Sequence, residues 1–304
     1  LSTVAGQTAL APGELLESRR EGERQIFHYQ TTAPIKKSLG FFSGDYALHR
    51  DTLAGQPLEV WHHPGHGQNV EDILAGVGAA LEYGQAAFGS LPQRTYRIVE
   101  FPRSFGTFAT VFGNMLPFSE VYFLTDSRQG LNWPFYVAAH ETAHLWWGHE
   151  LQPSAALGAW LMTESPAEYL ALQVLMDREG PEQGLRLLEL NRELYRRGQS
   201  SGGEVALLQA RREQEYLTYR KGALALYVLS VILGEEDWNR VLGDFWEKHQ
   251  KRSGSYPTSL DFYRHLQAST PDSLRQPLRD LLEKPGFPDI YWEKILSYHH
   301  EAAR

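Results

Sequence analysis

The most informative stretch of this chain is His140-Glu141-Thr142-Ala143-His144, because it places two histidines four residues apart. On an α-helix, positions i and i+4 lie on one face, so both imidazoles can reach a single Zn²⁺ at about 2.0–2.1 Å. Glu141 projects beside them, within reach of a metal-bound water. We expect the helix to begin near Pro134 and to end at Gly148. The motif predicts a hydrolytic zinc site, and the alternative is a surface helix with two titrating histidines.

The composition limits the classes of partner. The 304 residues carry a formal net charge of −8, which argues against nucleic acid or an anionic membrane face as the main partner. There is no cysteine, so nitrogen and oxygen atoms must hold any metal. The longest strongly apolar run, Ala223 to Leu233, is shorter than the ~20 residues that cross a bilayer. We expect a soluble segment, excised or processed because it lacks an initiator methionine and a signal peptide. The oligomeric state is not predicted.

The pattern of apolar residues predicts an α+β chain. Strand-like stretches occur at Gln25 to Arg50, Leu58 to His62, Tyr96 to Glu100 and Val121 to Thr125. Val70 to Phe88 has helical spacing, and the sequence after Leu161 is almost wholly helical, with one predicted helix running from Glu204 to Leu233. We therefore predict a β-rich segment over 1–56, a catalytic domain over 57–180 and a helical subdomain over 181–304.

A catalytic zinc site usually takes a third protein ligand. We choose Glu164, which nineteen residues separate from His144, counting Leu145 to Thr163. His149 is one rival, but the metzincin spacing would require a glycine and a histidine where Trp147 and Glu150 stand.

Glu168 is the second rival as a ligand. Ser165, Pro166 and Glu168 match a capping box that would start a helix at this point. If the helix instead extends back through Glu164, the two glutamates share a face, and Glu168 could orient a zinc-bound histidine. Both interpretations stay open, and neither makes Glu168 the better direct ligand.

From these residues onward the sequence resembles the aminopeptidase N family of zinc metallopeptidases, which are gluzincins. Trp160-Leu161-Met162-Thr163-Glu164 is similar to the family's Trp-Leu-Asn-Glu segment, and Tyr219-Arg220-Lys221-Gly222 to its Tyr-Glu-Lys-Gly segment. The resemblance implies a thermolysin-like catalytic domain with Zn²⁺ held by His140, His144 and Glu164, and a peptide as substrate.

The resemblance also implies the catalytic roles. Glu141 would act as general base and then as general acid. Tyr219, in the helical subdomain, would donate its hydroxyl to the developing oxyanion. Tyr216 is the neighbouring alternative, and Tyr219 could instead be an ordinary packed core residue.

Two departures from the family pattern affect the substrate and the location. The gap before Glu164 is one residue longer than usual, and with Trp146-Trp147-Gly148-His149 it resembles a bacterial subgroup fused to an ABC-transporter permease. That subgroup implies an extracytoplasmic domain of a membrane-anchored protein, with a cytoplasmic location as the alternative. The exopeptidase signature Gly-x-Met-Glu-Asn fails after Gly113-Asn114-Met115.

Glu120 can still be laid on the signature position whose carboxylate receives the substrate's free amine. The alternative is an exposed glutamate on an edge strand. The leading prediction is therefore an aminopeptidase. An endopeptidase of the same chemistry and a non-catalytic zinc-containing sensor domain of a transporter are the alternatives.

A second histidine-rich stretch occurs at His62, His63 and His66, within Trp-His-His-Pro-Gly-His-Gly. These residues resemble a small metal cluster. Because proline and glycine separate the histidines, we interpret the stretch as a surface turn.

Overall fold

A computed structural model describes residues 1–35, 39–126, 130–254 and 256–302 of the chain. The strands within these ranges are β1 Ser2–Val4, β2 Thr8–Leu10, β3 Glu14–Glu21, β4 Arg24–Gln30, β5 Phe42–Gly44, β6 Ala47–Leu53, β7 Gln56–His62, β8 Tyr96–Phe101 and β9 Met115–Ser119. The α-helices are α1 Val70–Phe88, α2 Glu120–Leu124, α3 Trp133–Ala143, α4 Glu164–Glu179, α5 Pro181–Gln199, α6 Gly222–Leu233, α7 Glu235–His249, α8 Ser259–Ser269, α9 Arg275–Leu278 and α10 Asp289–Ala302. This α+β composition confirms the predicted fold class.

The chain forms two compact units that are not continuous in sequence. The first comprises Leu1–Glu82 and Ser90–Leu145, and the second comprises Tyr83–Gly89 and Trp146–Arg304. This grouping does not test the three consecutive segments predicted from the sequence, which stay a prediction.

The first unit contains all nine strands listed above. β1, β4 and β3 form an antiparallel sheet, and β2 pairs with β5. A four-stranded sheet runs in the order β6-β7-β8-β9. In this sheet β6 and β7 form an antiparallel hairpin, whereas β7, β8 and β9 are mutually parallel. The carboxyl ends of three parallel strands therefore lie at one edge of the sheet.

The hairpin and the central strand show how local sequence builds this sheet. Ala54 and Gly55 join β6 to β7, and both have positive φ, as a two-residue type I′ turn requires. All six residues of β8 are buried, which is typical of a strand covered on both faces.

Helices α1 and α3 approach closely within the first unit. A Cβ added at Gly76 of α1 would lie 2.3 Å from the carbonyl oxygen of Phe135 in α3. Only glycine allows this backbone contact. The contact fixes α3, the helix that carries the histidine motif, against α1.

The second unit is helical over almost all of its described length. In α6 every residue from Gly222 to Ser230 is buried, so this helix forms the centre, with α4, α7 and α10 packed on it. Trp146 and Trp147 are fully buried. The ring of Trp146 covers Gly84, and that of Trp147 contacts Phe88. Both tryptophans are therefore packing residues.

Two segments have a secondary structure other than the one predicted from the sequence. Val121 to Thr125 was predicted as a strand, but Glu120–Leu124 is a short helix that follows the buried strand β9. The acidic Glu120 suits the positive end of a helix, and tertiary context overrides the β propensity of the aromatic and β-branched residues. The helix predicted from Glu204 begins instead at Tyr216, because tertiary hydrogen bonds fix Glu204 to Lys221 and Gly286.

In the described part of the chain, no single helix is long and apolar enough to cross a membrane. One pair, Tyr216–Leu233 with Glu235–His249, meets the length and composition criteria jointly but is bent by 120°.

Candidate metal centre

Helix α3 presents the histidine motif. Its first turn is capped by Asn132, whose side chain accepts a hydrogen bond from the N–H of Phe135 at 3.2 Å, and Pro134 occupies the first turn as predicted. The helix ends at Ala143 and not at Gly148. The reason is that Gly148, at φ 115°, belongs to a separate turn in which its N–H donates to the oxygen of Leu151.

The two motif histidines converge as the spacing predicts. The Nε2 atoms of His140 and His144 lie 3.1 Å apart, with the rings at 90° to each other. Two nitrogens bound tetrahedrally to one Zn²⁺ at about 2.0–2.1 Å would be about 3.3–3.4 Å apart. The observed separation therefore fits a shared zinc ion with small ring adjustments. His140 is buried at 6% exposure.

Glu164 completes the donor set. One ligand atom from each of His140, His144 and Glu164 lies within 4.8 Å of the others. Two imidazoles and one carboxylate, with a further position open, are the donors of catalytic zinc sites such as those with two histidines and a glutamate. His149 and Glu168, the two rivals, are not members of this group among the described residues.

The start of α4 decides between the two interpretations of Glu168. The helix begins at Glu164, and the preceding Thr163 makes no capping hydrogen bond through its side chain. Ser165 donates its hydroxyl to the carbonyl of Thr218 at 2.6 Å, so the capping-box interpretation is wrong. The extended helix puts Glu164 and Glu168 on one face, as the alternative predicted. Glu168 is buried at 3% exposure, and its role in orienting a histidine stays a prediction.

Tyr219 lies on an unusual turn beside the start of α4. Residues Tyr216–Lys221 form a π-helix that runs directly into α6, and π-helical turns are frequent at functional sites. The bond from Ser165 to Thr218 joins the residue after Glu164 to the residue before Tyr219. A Cβ at Gly222 would lie 1.9 Å from Ser165 Oγ, so the two backbones are in close contact.

The neighbouring tyrosine has different surroundings. Tyr216 and Tyr219 are both half-buried, and Tyr216 stacks its ring on Tyr195, with centroids 6.3 Å apart. Burial raises the pKa of Tyr216, and the charge of Glu204 adds to the effect. Tyr216 thus packs against α5, and the catalytic assignment of Tyr219 stays a prediction.

A buried ion pair supports the π-helical turn. Lys221 is fully buried and donates from Nζ to Glu204 at 3.3 Å and to the carbonyl of Lys284 at 2.8 Å. Burial lowers the pKa of Lys221. Burial raises the pKa of Glu204. Hydrogen bonds from Gly286 and Gln199 and the charge of Lys221 outweigh this effect, so the pKa of Glu204 is lowered overall. The ion pair of Lys221 and Glu204 holds in place the end of the π-helical turn that carries Tyr219.

Glu141, the expected general base, is buried at 9% exposure on α3. The charge of Glu141 affects Tyr122. Burial raises the pKa of Tyr122, and the negative charge of Glu141 raises it further. This neighbour was not predicted from the sequence. Because Val121 to Thr125 has the residues of a strand, no periodic pattern placed Tyr122 near Glu141.

Glu120 begins α2 and does not lie on an edge strand. Its Oε1 atom accepts a hydrogen bond from the N–H of Arg103 at 3.2 Å and lies 3.3 Å from Nε of the same arginine. The expected role of Glu120 in binding a substrate amine stays a prediction.

Comparisons with known proteins bear on the family and the fold. Models of protein families give no match. "Probable aminopeptidase 2" of Sulfurisphaera tokodaii is 25% identical over an alignment of 289 residues that covers 90% of this chain and 36% of that protein. A mutant of the M1 zinc metallopeptidase from Deinococcus radiodurans superposes with a TM-score of 0.73 at 17% identity, over 94% of this chain and 64% of that one. The structure of its mutant bound to a Tyr-Ser-Ala substrate gives 0.71 at 18% identity, over 94% and 64%.

The chain spans about a third of the length of this aminopeptidase and less than two thirds of the Deinococcus radiodurans chains. At 17–18% identity the structural likeness establishes the fold. The alignment with the aminopeptidase relative covers 90% of this chain. The chain thus has the fold of the M1 zinc metallopeptidases, and the resemblance to the aminopeptidase N family seen in its sequence is confirmed.

Proposed function

We propose that this chain is the catalytic part of a zinc-dependent metallopeptidase that acts as an aminopeptidase. The observation that carries the proposal is the group of His140, His144 and Glu164, whose ligand atoms lie within 4.8 Å of one another. Glu141 stands between the two histidines on the same helix. The name of the Sulfurisphaera tokodaii relative supports the exopeptidase assignment.

The residues divide the chemistry among them. When bound, Zn²⁺ would lower the pKa of a water molecule towards ~7 and polarise a carbonyl group. Glu141 would accept the proton of the attacking water and return it to the leaving amine. Its buried position excludes bulk water from that transfer. Tyr219 would donate its hydroxyl to the charge that develops on the carbonyl oxygen.

The substrate is proposed to be a peptide with a free N-terminus. The Deinococcus radiodurans metallopeptidase, which shares the fold, was solved with Tyr-Ser-Ala, and a two-domain M1 zinc metallopeptidase of the same fold was solved with L-arginine. Glu120 is the predicted acceptor of the substrate's amine. We also propose, from the sequence resemblance alone, that the full-length protein is membrane-anchored with this domain outside the cytoplasm.

A substrate panel tests the proposed function. Aminoacyl fluorogenic substrates and N-acetylated peptides of the same sequence are offered to the protein before and after treatment with a zinc chelator. We expect hydrolysis of the free N-termini alone, loss of activity with the chelator, and recovery on adding Zn²⁺. Efficient cleavage of the acetylated peptides would make the protein an endopeptidase, and activity that survives complete zinc removal would end the zinc mechanism.

A further inference from the structure

A second group of histidine and carboxylate side chains lies within the first unit, at the edge of the four-stranded sheet. His66 follows β7, Glu100 is the penultimate residue of β8, and Glu120 comes directly after β9. Because these strands are parallel and in register, with Trp61 beside Val99 and Phe101 beside Ser119, their carboxyl ends meet. Ligands of open α/β sheets bind at the carboxyl ends of parallel strands.

The three side chains approach as closely as those of the zinc site. One ligand atom from each of His66, Glu100 and Glu120 lies within 4.8 Å of the other two. His66 Nδ1 is 2.5 Å from Oε1 of Glu100, and the N–H of His63 donates to the other oxygen, Oε2, at 2.7 Å. These two contacts hold the carboxylate of Glu100, which is only 5% exposed, in one orientation.

The two carboxylates of this group favour the binding of a cation. Two carboxylates this close repel each other, and burial of one of them adds a desolvation cost. His66 compensates only when its ring is protonated. Arg103 contacts Glu120 through Oε1, but the arginine side chain is 72% exposed and can move away at little cost.

We propose that His66, Glu100 and Glu120 form a second site for a divalent transition metal of the zinc class. One imidazole nitrogen and two carboxylate oxygens are a borderline donor set, which suits Zn²⁺ better than Mg²⁺ or Ca²⁺. Three protein ligands leave a position for water. The metal would replace the proton shared by His66 and Glu100 and would displace Arg103. This assignment competes with the predicted role of Glu120 as acceptor of a substrate amine.

A metal at this site would be connected through α2 to the region around Glu141. Glu120 is the first residue of α2, and Tyr122 on the same short helix senses the charge of Glu141. A metal bridging β8 to α2 would hold this helix against the sheet. The proposal of the second site does not depend on peptidase activity.

The second site is tested by measuring how many zinc ions each chain binds. The intact chain is equilibrated with buffered Zn²⁺, its bound zinc is measured by elemental analysis, and its affinity by calorimetry. We expect two zinc ions per chain. His66→Gln and Glu120→Gln should each weaken one of the two by at least about 100-fold, because removal of even an outer partner costs 10–100-fold. His63→Gln is the matched control, since this exposed histidine of the same turn is outside the group.

Glu164→Ala separates the two proposals, because it should remove the other zinc ion and leave the His66 site filled. Circular dichroism verifies that each variant is folded, and Glu120→Gln, at the partly exposed start of a helix, provides a second route if His66→Gln unfolds. A wild-type stoichiometry of one would overturn the second site. So would unchanged zinc binding in both His66→Gln and Glu120→Gln, or an equal loss in His63→Gln.

Discussion

The two metal-binding groups are made of the same residue types but are assembled in different ways. His140 and His144 are joined by one turn of helix, so their spacing in sequence already places both rings on one face. His66, Glu100 and Glu120 are far apart in sequence and meet because three parallel strands end together. A local sequence motif predicts the first group, whereas the second group forms only because of the topology of the sheet.

The groups also differ in what stands beside them. The first has a buried carboxylate, Glu141, that can move protons, and a tyrosine on a π-helix, Tyr219. The second has a surface arginine, Arg103, in contact with one of its carboxylates. We infer that the first group is built for catalysis and the second for holding structure. Substitutions in and beside both groups test this difference.

The largest effect is expected from Glu141→Gln. The amide keeps the shape of the side chain but cannot accept a proton, so turnover should fall by about 10²–10⁴-fold. The zinc content should not change, because Glu141 is not among the metal donors. Hydrolysis rates and zinc content are measured on the same preparation, with Glu71→Gln, an exposed glutamate on α1, as control. Full activity in Glu141→Gln would refute the assigned mechanism.

A somewhat smaller loss is expected from Tyr219→Phe. Removal of one donor to a developing oxyanion lowers turnover by about 10²–10³-fold, and KM should stay within about twofold because the ground state gains little from this bond. Tyr216→Phe is the matched control on the same π-helix, and its ring packs on Tyr195. If Tyr216→Phe causes the large loss and Tyr219→Phe does not, the alternative tyrosine is the catalytic one.

The catalytic motif was predictable because its information is local. The positions of α3 and of its two histidines follow from helical periodicity and from Pro134 in the first turn. Glu164 was chosen as the third ligand from its separation from His144, over the rivals His149 and Glu168, and the family resemblance then implied the same residue. The histidine-rich stretch that contains His66 was interpreted as a surface turn. That turn is indeed present, with the N–H of His66 donating to the carbonyl of His63, but nothing in the sequence indicated that Glu100 and Glu120 would reach it.

The errors in secondary structure have the same origin. Val121 to Thr125 has the aromatic and β-branched residues of a strand, yet it forms α2 because β9 has already taken the adjacent place in the sheet. The segment after Glu204 has helical composition, yet the buried contact with Lys221 holds it in another conformation. In both places long-range packing outweighs local propensity.

Gly222→Ala tests how tightly the parts of the catalytic site are packed. The added Cβ would lie 1.9 Å from Ser165 Oγ and 2.6 Å from its Cβ, so either α4 or the π-helix must shift. Overpacking of this kind costs about 1–3 kcal/mol of unfolding free energy, and activity should fall because Glu164 and Tyr219 lie beside the contact. Denaturant unfolding and hydrolysis rates measure the two effects.

Gly65→Ala is the matched substitution in the turn of the second group. Its Cβ would come no closer than 3.9 Å to His63 Nδ1, which is an ordinary contact, so stability should change by less than about 0.5 kcal/mol. Equal destabilisation by the two substitutions would contradict the inference that backbone packing is tight around the first group and looser around the second.

A small effect is also expected from Arg103→Ala. Loss of an exposed ion pair should change the unfolding free energy by no more than about 1 kcal/mol. Removing a positive charge beside Glu120 should favour zinc at the second site by a similar amount, about fivefold in affinity, since unit charges 4 Å apart interact by about 1 kcal/mol in water. Arg50→Ala is a close control, because Arg50 Nε is also 3.3 Å from a glutamate oxygen and its side chain is 67% exposed, but its partner Glu59 is outside the group. Calorimetric titration with Zn²⁺ compares the two variants. Weaker zinc binding in Arg103→Ala would mean that the arginine orients Glu120 for the metal and does not compete with it.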